Sequence, residues 1–229
     1  HRESRLRAGA NHQWQYSAKN MIYPSSVQTP QSVAAHYDEL DFVYREVWGE
    51  HVHHGYWESG GESAEEAVEK LIELVVTKVA LKKGDRVCDI GCGYGGTARY
   101  LTRHYQAQVT GFSVSEKQLT YARGRSEPSA GPRFILGDWL ENSLDSSSFD
   151  VALSIESSEH MPDKARFFSE SFRVLKKGGR FATCAWLASE TPKPWHLKHL
   201  LEPICREGRL PSMGTQSDYF AMIQDAGFQ

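Results

Sequence analysis

The stretch Asp89-Ile90-Gly91-Cys92-Gly93-Tyr94-Gly95-Gly96 constrains this chain more than any other. It follows a short β-rich run and precedes a helical pattern, so it reads as a strand-to-helix turn. Glycines there let the backbone bend sharply and let a ligand approach the amides at the positive end of the helix. Gly91, Gly93 and Gly96 satisfy Gly-x-Gly-x-x-Gly, which alone is weak evidence for a dinucleotide site.

The rest of the chain repeats that strand-then-helix rhythm. β-rich runs at 86–90, 108–112, 133–136, 150–155 and 180–186 are separated by helical stretches at 95–105, 115–125 and 163–176, the last stopped by Gly178 and Gly179. The alternation predicts an α/β fold: a doubly wound, mostly parallel sheet built from βαβ units. Apolar spacing predicts one amphipathic helix over 31–48. A second over 63–81 opens with the capping-box pair Ser63 and Glu66. Two further helices, at 195–207 and 216–226, follow the break Thr191-Pro192-Lys193-Pro194.

Composition sets the outer limits. At 229 residues, 40% apolar and 24% charged, the chain fits one soluble globular domain over 31–229, with a separate arm over 1–30. A net charge of −3 gives no reason to expect nucleic acid. The basic set Lys164, Arg166, Arg173, Lys176, Lys177 and Arg180 reads as a solvated helix face, since no appended RNA-binding motif accompanies it. The most apolar segment, 71–80, is interrupted by Glu73 and Lys78, so stable membrane insertion is not expected. Four cysteines form no disulfide framework and fit a cytoplasmic setting, or an organelle if residues 1–20 are a targeting remnant. Neither Cys88 with Cys92, nor His51, His53 and His54, nor His196 and His199 has the partners that a metal site needs. Expected partners are a small-molecule acceptor and, as an open alternative, further copies of the chain.

Two acidic positions refine the turn. A nicotinamide site usually has an acid at the end of the second strand. Here Gly111-Phe112-Ser113-Val114-Ser115 stands there, with the first acid at Glu116 inside the next helix. That lowers the oxidoreductase alternative. Asp138, directly after the third strand, is placed either to accept from an exocyclic amine such as adenine's or simply to cap a turn.

At this point the residues resemble the class I S-adenosylmethionine-dependent methyltransferases with their Rossmann-like fold, most nearly the tocopherol methyltransferase-like branch. Sugar O-methyltransferases, small-amine N-methyltransferases and cyclopropane fatty-acid synthases are its relatives. Three matches carry the resemblance: residues 87–96; His36-Tyr37-Asp38 with Gly55-Tyr56-Trp57; and Glu156-Ser157-Ser158-Glu159-His160-Met161-Pro162-Asp163. It implies S-adenosyl-L-methionine as cofactor, with Gly91 and Gly93 at its methionine portion. Ser113, Val114 and Gln118 would lie around ribose and adenine, and Asp138 and Trp139 against adenine. Tyr37 and the region of His53 would close over the methionine end, with Asp89, Cys92, Gly137 and Ile155 completing the site. The usual ribose-binding acid is missing, which leaves the ribose contact open.

Methyl transfer from a sulfonium is an in-line displacement, so the protein aligns the nucleophile, excludes water and takes a proton where the acceptor carries one. Glu156, Glu159 and His160 are the catalytic candidates. Their alternatives are a backbone contact, a helix cap and a packing histidine. Tyr44, Trp48, Tyr56, Trp57, Trp139, Trp186 and Trp195 are candidates for an apolar acceptor pocket or for ordinary core. The leading expectation is methylation of a small, partly apolar acceptor at aromatic carbon or nitrogen. Sugar or natural-product O-methylation, nicotinamide oxidoreduction and a non-catalytic cofactor-binding regulator are the alternatives. The resemblance also implies two further strands after the fifth. Because the sequence ends at Gly227-Phe228-Gln229, the expectation is a shortened C-terminus or a sheet edge completed by the N-terminal arm or a partner chain.

Overall fold

The structure is a computed structural model and describes residues 21–229. Its centre is a parallel sheet in the order β3-β2-β1-β4-β5: β1 Arg86–Ile90, β2 Gln108–Ser113, β3 Arg133–Leu136, β4 Phe149–Ile155 and β5 Leu175–Cys184. Within β1 and β4, Val87, Cys88, Ile90, Val151, Ala152 and Leu153 are fully buried. These are the unbroken apolar runs that a strand covered on both faces requires. Chain order reverses between β1 and β4, which pair through Asp89 and Leu153. Ligands bind at such a switch point, outside the carboxyl ends of the strands.

Helices cover both faces. On one side α3 (Ala64–Lys78) sends Ile72, Val75 and Val76 against Val87, Val109 and Val151. Its first turn is closed reciprocally, with Ser63 Oγ accepting from the Glu66 N–H and Glu66 Oε2 from the Ser63 N–H at 2.8 Å. α4 (Gly96–Tyr105) adds Ala98 and Leu101 to the same face. The opposite core joins Phe167 and Phe168 of α6 (Lys164–Val174) to Trp139, Tyr219 and Met222. α5 (Glu116–Gly124) lies between β2 and β3. The C-terminal cover comprises α7 (Pro194–His196), a π turn (Leu197–Leu201), α8 (Glu202–Glu207) and α9 (Gln216–Asp225).

Several expectations change in detail. The helix expected over 31–48 is two, α1 (Pro30–Glu39) and α2 (Asp41–Val47), because Leu40 leaves helical geometry at φ −95°, ψ 9°. Helix α6 stops at Val174, and β5 begins at Leu175. Gly178 and Gly179 therefore lie inside the strand, where Gly178 at φ 76° sits opposite the register shift between Phe149 and Val151. A bulge, rather than a helix stop, is what those glycines make. Lys164 does not belong to a solvated face, since it is buried.

Among the described residues β5 pairs with β4 alone. Ile22 bridges Met213 antiparallel and packs with Ala188, Cys205 and Leu210, so the described start of the chain fastens to the C-terminal cover rather than to β5. Of the arm expected over 1–30, residues 1–20 lie outside the described residues.

Candidate active site

Three alternating glycines build the floor. Gly91, Gly93 and Gly95 have φ of 77°, 52° and 74°, and Gly95 is the N-cap of α4. A side chain at Gly91 would put its Cβ 2.2 Å from Ser157 Cβ, which belongs to the turn after β4. Ser157 in turn donates to the Ile90 carbonyl at 2.5 Å. The two turns thus interlock, and no larger residue fits at 91. At Gly93 the nearest atoms would be 3.8 Å away, so that glycine leaves space beside the crevice.

A crevice partly open to solvent lies above this floor, at the carboxyl ends of the strands. Of the residues expected around a cofactor, Tyr37, His53, Asp89, Gly91, Cys92, Gly93, Ser113, Val114, Gln118, Gly137, Trp139 and Ile155 line it, as do Glu156 and His160. Asp138 does not: its carboxylate caps the turn Trp139–Glu141 by accepting from the Leu140 N–H at 2.9 Å. Nor does Glu159, which is buried and accepts from the Trp186 N–H at 2.5 Å. Glu50, His51, Thr97 and Ser157 also line the crevice; the sequence marks His51 only within the histidine cluster and Ser157 only within the 156–163 segment, and does not mark Glu50 or Thr97. The signal that could have found Glu50 is its proximity to His53. For Ser157 the signal was its place in the 156–163 segment, but its role exists only opposite Gly91.

Helix α1 lines the crevice through Val33 and Tyr37, and α1 and α2 are tied down at polar points. The Ser115 hydroxyl, the N-cap of α5, donates to Asp38 at 2.5 Å. Tyr94 OH donates to Asp41 Oδ1 at 3.0 Å, and the half-exposed Glu50 accepts from the buried Arg99 at 2.8 Å.

Asp89 is the electrostatic anomaly. Its Oδ2 is buried without a hydrogen-bond partner, and burial raises its pKa to about 7. A buried carboxylate oxygen aimed into a crevice is a site for a cation or a donor. Opposite it, Tyr37 OH and His160 Nε2 are 2.9 Å apart, and His160 Nδ1 is 3.4 Å from the Arg209 carbonyl. A carbonyl can only accept, so Nδ1 carries the proton and Nε2 accepts from Tyr37. Burial lowers the His160 pKa to about 4 and raises that of Tyr37, so both are neutral near pH 7. Glu156 stands in the left-handed region at φ 49°, accepting from the His54 backbone N–H at 3.2 Å and facing His54 Nδ1 at 2.8 Å. His53 donates from Nδ1 to the His54 carbonyl at 2.9 Å.

At the mouth, His54 sits edge-on between Trp48 and Trp186, each ring centroid 5.0 Å away. Both tryptophans are 40% exposed, and Leu187 and Val47 extend this apolar rim. Trp139 belongs to the core instead. Among the described residues no group of His, Cys, Asp and Glu is placed to hold a metal ion, and no helix is long and apolar enough to cross a membrane.

Comparison with known proteins agrees with this architecture. The model of the mycolic acid cyclopropane synthetase family matches residues 25–229. The chain is 34% identical to the probable chloroplastic tocopherol O-methyltransferase of Oryza sativa subsp. japonica, over 87% of this chain and 60% of the relative. It is 33% identical to the 27-O-demethylrifamycin SV methyltransferase of Amycolatopsis mediterranei (strain S699), over 88% of this chain and 75% of the relative. The chain thus spans about three fifths of the plant relatives it matches. Among solved structures it is similar to the [4+2]-cyclase SpnF, at TM-score 0.75 and 27% identity over 90% of this chain and 74% of that one. The cyclopropane synthase MmaA2 of Mycobacterium tuberculosis shares the fold, at TM-score 0.78 and 23% identity over 90% of this chain and 76% of that one.

Proposed function

The chain belongs to the mycolic acid cyclopropane synthetase family, and we propose that it transfers a methyl group from S-adenosylmethionine to a bulky, partly apolar acceptor. A cyclase shares the fold, so the site rather than the fold carries this reading. The carrying observation is the unpartnered, buried Asp89 Oδ2 beside a glycine turn that leaves open space at Gly93. Asp89 suits the ammonium of the methionine moiety. Ser113 already donates to Gln118 Oε1 at 2.9 Å, which leaves the Gln118 amide N–H groups for a ribose or adenine acceptor. That pairing stands where the usual ribose-binding acid is absent. Bound there, the cofactor supplies an activated methyl group whose leaving thioether is neutral.

The chain's own residues then align the acceptor and take its proton. The rim of Trp48, His54 and Trp186 supplies an apolar entrance. Tyr37 and His160 are the groups inside the crevice that orient a polar atom and accept a proton, with Glu156 nearer the mouth. Glu159 fixes Trp186 through its backbone N–H. We assign the methylated atom as an activated ring carbon or a nitrogen, in line with the aromatic rim. Transfer to a hydroxyl oxygen is the second reading, favoured by the neutral Tyr37–His160 pair and by likeness to proteins named as O-methyltransferases.

Calorimetry with S-adenosylhomocysteine and, in parallel, NAD tests the cofactor. Incubation with methyl-deuterated S-adenosylmethionine across prenylated hydroquinones, sterols, phenols and amines, read by mass spectrometry, tests the acceptor. Binding of the homocysteine analogue alone and a deuteromethylated apolar product are expected. NAD binding without analogue binding overturns the cofactor reading, and no product across the panel turns it toward a regulator.

A further inference from the structure

Helix α6 opens on a cation that the fold buries. Lys164 is its first residue and is 3% exposed. An ammonium there is unfavourable twice over, because burial strips its water and a helix N-terminus is itself the positive end of the dipole. Burial lowers its pKa to about 8. Its three N–H groups are all used, toward the Glu159 carbonyl at 3.3 Å, the Met161 carbonyl at 3.2 Å and Ser212 Oγ at 2.9 Å.

The identity of those acceptors matters. The two carbonyls belong to the residues on either side of His160. Ser212 is buried three positions after Arg209, the residue whose carbonyl faces His160 Nδ1. Arg209 is held at φ 56°, a conformation that non-glycine residues adopt only where the surroundings enforce it. One ammonium therefore joins the segment that carries His160 to the loop that sets its tautomer.

We propose that Lys164 is a positioning residue for His160, clamping the 159–161 turn to the 209–212 loop so that Nδ1–H meets the Arg209 carbonyl and Nε2 is kept for Tyr37. The inference rests on the reading of His160 as a group of the active site. Without the clamp, the imidazole loses the carbonyl that selects its tautomer.

The test uses the full chain with ¹⁵N-labelled histidine, the His160 signals being assigned by their loss in His160→Asn. Wild type is expected to show a single Nδ1–H tautomer. In Lys164→Met that signal gives way to a tautomer mixture, and kcat for methyl transfer falls about 10–100-fold, less than the roughly 10²–10⁴-fold that a proton-handling group contributes in full. S-adenosylhomocysteine affinity changes less than about threefold, because neither Asp89 nor the glycine turn touches Lys164. In the His160→Asn background the same substitution costs less than about twofold, since partners in one network are non-additive. A folded Lys164→Met protein with an unchanged His160 tautomer overturns the proposal, as does a full loss that persists in His160→Asn. If Lys164→Met does not fold, Ser212→Ala removes one of the three bonds and should shift the tautomer in the same direction by less; unchanged signals there overturn it equally. The tautomer readout needs no acceptor, so failure of wild type to bind S-adenosylhomocysteine would overturn the cofactor reading separately.

Discussion

The two ends of the crevice are built in opposite ways. The cofactor end is nearly contiguous, with Asp89, Gly91, Cys92 and Gly93 at the end of β1 and in the turn after it, and Ser113, Val114 and Gln118 running from the end of β2 into α5. The acceptor end gathers Tyr37 from α1, His54 from the segment after α2, Glu156 and His160 from beyond β4, Trp186 from beyond β5 and the Arg209 carbonyl from the C-terminal cover. A backbone turn at a strand end is dictated locally by residues without Cβ atoms. A polar cluster drawn from five segments depends on how all of them pack. The cofactor end should therefore be rigid and intolerant at single positions, and the acceptor end adjustable.

Substitutions at the two glycines break this contrast most sharply. Gly91→Ala combines a left-handed φ with a Cβ 2.2 Å from Ser157, so unfolding should be easier by about 3 kcal/mol or more, with analogue binding lost. Gly93→Ala meets nothing closer than 3.8 Å and should cost only the conformational strain, about 1–2 kcal/mol. Denaturant melts of both variants check this; equal losses would show that the Ser157 contact is easily relieved.

Asp89→Asn should weaken S-adenosylhomocysteine binding by about 1.5–3 kcal/mol, read by calorimetry, as expected for removing a charged acceptor from an ammonium. The linkage has a definite sign. The folded-state pKa of about 7 lies above the ordinary 3.8, so between those values the folded protein holds a proton that the unfolded chain has released. This group's contribution to stability thus falls as pH rises through that window. The melting temperature of Asp89→Asn should gain on wild type over the same interval. Binding of the analogue at pH 6 should release a proton in wild type and not in the variant, measurable in buffers of different ionisation enthalpy.

At the acceptor end the effects are on rate. Tyr37→Phe keeps the ring and removes the hydroxyl, so kcat should fall about 100-fold, the lower end for a proton-handling group, while the fold persists; an unchanged kcat would remove Tyr37 from proton handling. The smallest effect is expected for Glu156→Gln. His54 is half-exposed, so weakening its contact with Glu156 should cost under about 1 kcal/mol of stability, with the change appearing in the acceptor KM.

What could be read from the sequence follows the same division. The strand and helix alternation and the glycine turn were legible because each depends on neighbours within a few positions, whereas the residues lining its ligand side were legible only through the family resemblance. The capping pair Ser63–Glu66 is another local case. The break at Leu40 and the early start of β5 were not, since both arise where packing overrides a continuous pattern. Asp138 and Glu159 show the limit for side chains: an acid at the right place in the chain turns out to serve a cap or a backbone amide.

The sequence by itself determined the parallel α/β fold and a glycine-floored crevice at the end of β1, because sterics and periodicity act along the chain. Only the tertiary structure decided that Lys164 is buried, that Ser157 locks Gly91, and which proton His160 carries. Those depend on atoms brought together from distant segments, where burial and hydrogen-bond geometry, rather than residue type, set the chemistry.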